Sequence, residues 1–70
     1  MNVNITVHIR EVRKAKGLTI VKLEELSGVS RSHISEIETH KQMPTLPVLC
    51  RIAAALEVGP EELFKFDCEK

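Results

Sequence analysis

The tightest constraint in this 70-residue chain is a four-residue joint, Ser27-Gly28-Val29-Ser30. Upstream, Leu23 and Leu26 give a short helix over about residues 20–27 its apolar edge. Downstream, Ile34 and Ile37 face inward from a second helix, over about residues 31–38. Thr19 and Ser30 are residue types whose side-chain oxygens cap helix N-termini. Gly28 can adopt the left-handed conformation that stops the first helix and turns the chain sharply. Val29 then drops into the angle between the two helices. Leu23, Ile34 and Ile37 fix the second helix against the first.

The rest of the chain also reads as helix. Ile5, Ile9, Val12 and Ala15 recur at helical spacing, with Asn4 or Thr6 as the cap and Gly17 as the stop. Residues 2–7 alternate apolar and polar as well, so an N-terminal strand or arm is the second reading there. Thr45 caps a further helix with Pro47 in its first turn, where a missing N–H costs nothing. Leu46, Leu49, Ile52, Ala53 and Leu56 supply its core stripe, and Cys50 is read as a small buried hydrophobe beside them. Gly59-Pro60 opens a last helix, with Glu61 and Glu62 where the helix dipole favours anions. Leu63, Phe64 and Phe66 close the core. The expectation is an all-α protein, a compact five-helix bundle forming one domain over residues 1–70, with frayed ends at 1–4 and 67–70. Its core must be aliphatic, because the chain has no Trp, no Tyr and only two Phe.

Several function classes drop out. No apolar run approaches the roughly 20 residues of a membrane helix, and residues 1–10 do not form a signal peptide. Two Cys, Cys50 and Cys68, are too few for a small disulfide scaffold. The expectation is a reduced, cytoplasmic protein without a membrane partner. No nucleophile, base and orienting group stand at motif spacing, and a chain this short offers no large pocket, so no enzyme and no cofactor is expected. His33, Glu36 and His40 share a helix face but lack an evident fourth ligand, which argues against a metal site. Formal charge is zero at pI 6.8, so the strongly basic signature of a nucleic-acid binder is missing. Only an asymmetry remains: residues 1–41 carry seven basic and five acidic side chains, residues 42–70 three and five.

Two short helices across a tight joint have the sequence shape of a helix-turn-helix, whose second helix lies in the DNA major groove. The stretches GLTIVKLEELSGVSRSHISEIE and MPTLPVLCRIAAALEVGPEELF resemble the phage-repressor, Cro-type helix-turn-helix family, also called the xenobiotic-response-element regulators. Leu23, Gly28, Val29, Ser30, Ile34, Ser35, Ile37 and Glu38 stand at that family's signature positions, and the likeness covers about residues 5–66. The resemblance implies the lambda-repressor-like fold. It also implies a transcriptional regulator, expected to be a repressor, that binds double-stranded DNA as a homodimer with residues 30–39 in the major groove.

It further implies roles for individual residues. Ser30, Arg31, Ser32, Ser35, Glu36 and Thr39 occupy groove-facing positions. Arg31 is the best base reader among them, since a guanidinium matches guanine O6 and N7. Backbone N–H groups around Ile20 offer a phosphate site, and His40, Lys41 and Gln42 are placed to hold the sugar-phosphate backbone. Arg13 and Glu38 match positions that form an internal ion pair. The chain departs from the family where Ile20 replaces Gln and Glu24 replaces Ala. The second change predicts a carboxylate swung outward and a slightly splayed helix pair. Glu36, where a basic or amide residue is common, suits the groove if it accepts from cytosine N4. His40 and Glu57 replace Gly, which predicts strained or altered turns. Together with the zero net charge, Ile20, Glu24 and Glu36 support an alternative: a protein-interaction or antitoxin-like module with weak or no DNA binding. The dimer surface is expected near Val58, Leu63 and Phe66, with an arm exchange through Val3, Ile5 and Val7 as the alternative.

Overall fold

Three hydroxyl side chains set where the central helices begin. The oxygens of Thr19, Ser30 and Thr45 accept from the backbone N–H three residues on, at 3.0, 3.2 and 3.4 Å. In the computed structural model, which describes residues 2–69, the order is β1 (Asn2–Val7), α1 (Ile9–Ala15), α2 (Ile20–Ser27), α3 (Arg31–Glu38), α4 (Leu46–Leu56), a 3-10 turn at Pro60–Glu62, and β2 (Phe64–Glu69). Gly28 ends α2 in the left-handed conformation at φ 75° and donates to Glu24 O at 2.9 Å. Val29 is buried in the corner this makes, against Leu23, Ile34 and Ile37.

The core is aliphatic. Ile9, Leu23, Ile34, Ile37, Ile52, Leu56 and Leu63 are fully buried, each worth about 1.5–3 kcal/mol of hydrophobic transfer. Helix α4 contributes Leu49, Ile52, Ala53 and Leu56, which are one face of a 3.6-residue period. That face leaves Cys50 exposed on the opposite side, contrary to the buried position expected for it. Leu46 is also outside the core, because it sits in the first turn, before α4 reaches the other helices. Among the described residues no helix is long and apolar enough to cross a membrane.

The five-helix, all-α expectation is corrected at both ends of the chain. Among the described residues there are four α-helices and a small two-stranded sheet. The segment expected to be a fifth helix makes only a 3-10 turn before β2 begins at Phe64. The segment expected to start the first helix at Ile5 is β1, and α1 begins only at Ile9. The reason is non-local. Val3, Ile5 and Val7 pair in antiparallel register with Cys68, Phe66 and Phe64, so alternation in one segment meets alternation in the other. One face of the ribbon is thus apolar, and the other carries Asn4, Thr6, Lys65 and Asp67. Pairing satisfies backbone groups that a short, exposed helix would leave to water. At the ribbon's base, His8 N donates to Leu63 O at 2.8 Å and the His8 ring contacts Glu62 O at 2.8 Å, tying the start of α1 to the 3-10 turn that leads into β2. The frayed ends expected at 1–4 and 67–70 include residues 1 and 70, which lie outside the described residues; residues 2–4 and 67–69 are strand.

Two turns are strained as the departures from Gly imply. His40 and Glu57 adopt left-handed backbone at φ 63° and 58°, a conformation costing a non-Gly residue about 1–2 kcal/mol. Part of that is offset, because Gly loses more backbone entropy on folding. His40→Gly and Glu57→Gly are therefore expected to stabilise the protein by about 0.5–1 kcal/mol each, read as a rise in Tm. An unchanged Tm for both would show that the surrounding contacts relieve the strain.

Candidate nucleic-acid interface

The exposed side of α3 is set by its buried side. Ile34 and Ile37 point into the core, so Arg31, Ser32, Ser35, Glu36 and Thr39 form the outer stripe. Ile20, at the first position of α2, joins Arg31, Ser32, Ser35 and Glu36 around one shallow, open depression. The structure thus gathers most of the expected groove-facing residues on one surface, next to the N-terminus of α2.

The other members are placed differently. Ser30 is committed as the cap of α3, accepting from His33 N–H, and its own hydroxyl proton stays available to an acceptor. Thr39 turns its hydroxyl back on its own helix, 2.9 Å from Ser35 O and 3.3 Å from Glu36 O, which engages its donor and leaves acceptor capacity only. His40, Lys41 and Gln42 leave α3 through the left-handed turn and line a cleft with Ile5, Val7, Ile37 and Met43, beside the ribbon. Among the described residues no three His, Cys, Asp or Glu side chains gather as a metal-binding group, His33, Glu36 and His40 included.

Behind this surface, Arg13 of α1 and Glu38 of α3 are joined. Arg13 Nε donates to Glu38 Oε2 at 2.7 Å, and Nη2 donates to Oε1 at 3.1 Å. Nη1 donates to Leu18 O at 2.8 Å, tying in the segment that leads to α2. Both side chains are almost fully shielded, at 9% and 4% exposed. The hydrogen bonds to Glu38 raise the Arg13 pKa above its ordinary value; burial opposes this and the Glu38 charge adds to it. The pair anchors the C-terminal end of α3 to α1, largely out of solvent.

The sequence reading missed the part Glu24 plays. Its carboxylate does not swing freely outward. Oε2 accepts from the Arg31 backbone N–H at 3.0 Å, and Oε1 lies 3.3 Å from Arg31 Nε. Glu24 therefore links α2 to the first residue of α3. The available signal was an acidic residue at an unusual position with an arginine seven residues on, across the joint.

The sequence pattern of the helix-turn-helix family matches residues 9–63. That span runs from α1 to Leu63 and leaves out both strands of the ribbon. The immunity repressor protein of Bacillus phage phi105 is 38% identical over 63 residues, covering 81% of this chain and 44% of that protein. The transcriptional regulator SlrR of Bacillus subtilis is 45% identical over 58 residues, covering 80% of this chain and 38% of that one. The chain thus spans less than half the length of these two curated relatives. Among solved structures, the restriction-modification controller protein C.AhdI of Aeromonas hydrophila superposes with a TM-score of 0.74 at 37% identity, covering 77% of this chain and 82% of that one. With two capped helices meeting at a left-handed Gly28, a polar stripe on the second, and these likenesses, the chain belongs to the helix-turn-helix family of transcriptional regulators, in its phage-repressor, Cro-type branch.

Proposed function

We propose that this protein is a sequence-specific binder of double-stranded DNA that represses transcription by occluding its site as a two-fold dimer in the cytoplasm. The observation that carries the reading is the outer stripe of α3, with Arg31 at its leading end and the N-terminus of α2 beside it. A helix presenting one guanidinium and several short hydroxyls fits the major groove and its flanking phosphates. One recognition helix reads only a few base pairs, so a unique site needs two, about 34 Å apart.

The apolar face of the ribbon is the surface we assign to the dimer. Leu63 is fully buried and Val58 half-buried, so of the C-terminal candidates only Phe66 is free to contact a partner. Ile5, Met43 and Leu46 border one hollow, and Val3 and Phe66 continue along the same ribbon face. These five side chains are each about half or more exposed and together show on the order of 500 Å² of apolar surface, near the upper end for a monomer. With a polar rim, that approaches the roughly 800 Å² per partner of a standard interface. The hollow adjoins the cleft lined by the loop that leaves α3, and this nearness to the recognition helix supports the ribbon face as the dimer surface.

Electrophoretic mobility shift on random duplex at two salt concentrations tests the reading. A groove binder neutralising about five phosphates per protomer should show a log–log slope between about −4 and −5 per protomer. The absence of a shift at low salt would favour the second reading, a protein-interaction or antitoxin-like module. Two carboxylates on the α3 side, Glu24 and Glu36, and zero net charge support that alternative.

A further inference from the structure

Arg31 is the first residue of α3, and its side chain is 63% exposed. A free arginine at such a place samples many rotamers, and binding must immobilise it. Here one carboxylate holds it at two points: Glu24 accepts from the Arg31 backbone N–H with one oxygen and pairs with Arg31 Nε through the other. That closes a ring from backbone to Nε and restrains the aliphatic stem. Among the described residues Nη1 and Nη2 of Arg31 make no hydrogen bond, which leaves them as a two-donor fork. Ile20, which shares the depression with Arg31, has no hydrogen-bonding side chain to perform this task.

The fork has the geometry for either guanine O6 and N7 or two phosphate oxygens. The surroundings separate these targets. Glu24 lies against the guanidinium, and Glu36 lines the same depression. Two carboxylates repel a phosphate, whereas the edge of a base is neutral. We propose that Glu24 is a positioning residue that presents the Arg31 fork to one guanine per half-site, so that the pair sets the base preference. This rests on α3 entering the major groove.

The test uses a duplex selected by the parent protein from a random pool, with each guanine replaced in turn by 7-deazaguanine. At one guanine per half-site the parent is expected to lose about 5- to 150-fold in affinity. Glu24→Ala should shrink that loss to under about threefold and strengthen binding to a scrambled duplex, since a carboxylate near the phosphates is gone. Glu24→Gln keeps an acceptor for the Arg31 N–H and should retain part of the discrimination. It also serves as the working variant if Glu24→Ala does not fold. If either variant has a lower Tm but the full discrimination of the parent, Glu24 is only a cap for α3 and the proposal is overturned. A parent that binds no duplex at low salt overturns the groove reading, and this proposal with it.

Discussion

Glu38→Ala is expected to lower stability by about 3–5 kcal/mol, because it strands the Arg13 guanidinium in a shielded site. After the change, among the described residues only Leu18 O still accepts from that group. In a domain of this size the loss corresponds to a fall in Tm of about 12–40 °C. It is also a large share of the roughly 5–15 kcal/mol that holds a small domain together. The cost comes from the orphaned charge and not from the attraction itself. The double variant Arg13→Met with Glu38→Leu should therefore recover much of the loss, since apolar side chains of similar size often replace a buried ion pair without harm. Thermal unfolding of the parent, Glu38→Ala and the double variant decides this. If Glu38→Ala melts with the parent, the pair does not shield a charge in solution.

The sign of the Arg13 shift limits how pH enters. A raised pKa means the protonated form is favoured by folding. The contribution is therefore complete below the ordinary arginine pKa, and is lost only as pH rises through the still higher folded value. No loss of this contact through Arg13 is expected across the neutral and mildly alkaline range.

What was legible in the chain was local. Thr19, Ser30 and Thr45 act on N–H groups three residues away, so short-range chemistry places the starts of α2, α3 and α4. Gly28 acts within its own residue. The ribbon was not legible in the same way. Val3, Ile5 and Val7 alternate visibly, but Ile5, Ile9 and Val12 also fit a helix. The deciding partner, Phe64 to Cys68, lies at the other end of the chain. Leu63 and Phe64 suggested a helix end by their apolar character alone, whereas Lys65 and Asp67 between Phe64, Phe66 and Cys68 carried the period of a strand.

The interface divides along the same line. The stripe on α3 follows from its period once Ile34 and Ile37 are assigned inward. Arg13 and Glu38 are 25 positions apart, and nothing in composition or periodicity couples them. Only the family resemblance put them together, and the structure supplies the distances. Glu24 and Arg31 are seven apart across a left-handed turn, a separation for which neither helix nor strand periodicity provides a contact rule. The contact exists because the joint at Gly28 folds the start of α3 back onto the side of α2.

Phe66→Asp is expected to convert a dimer into a monomer without unfolding the protein. Phe66 is 67% exposed on the ribbon's apolar face, opposite Ile5, and its ring lies 6.4 Å from that of Phe64. Within one chain the substitution loses a cross-strand pair, worth about 0.2–1 kcal/mol. Across a two-fold axis it buries a carboxylate in apolar contact with its counterpart, which no small interface withstands. In sedimentation the parent should run at twice its 7.9 kDa and the variant at that single mass. On a duplex with two half-sites the variant should bind about 100-fold or more weakly, because linked binding raises avidity by that order. On a duplex with one half-site, parent and variant should bind alike, since α3 and its polar stripe lie outside the altered contact. A parent that sediments as a monomer, and fills two half-sites one protomer at a time, would remove the ribbon from the dimer and leave its apolar face to another partner.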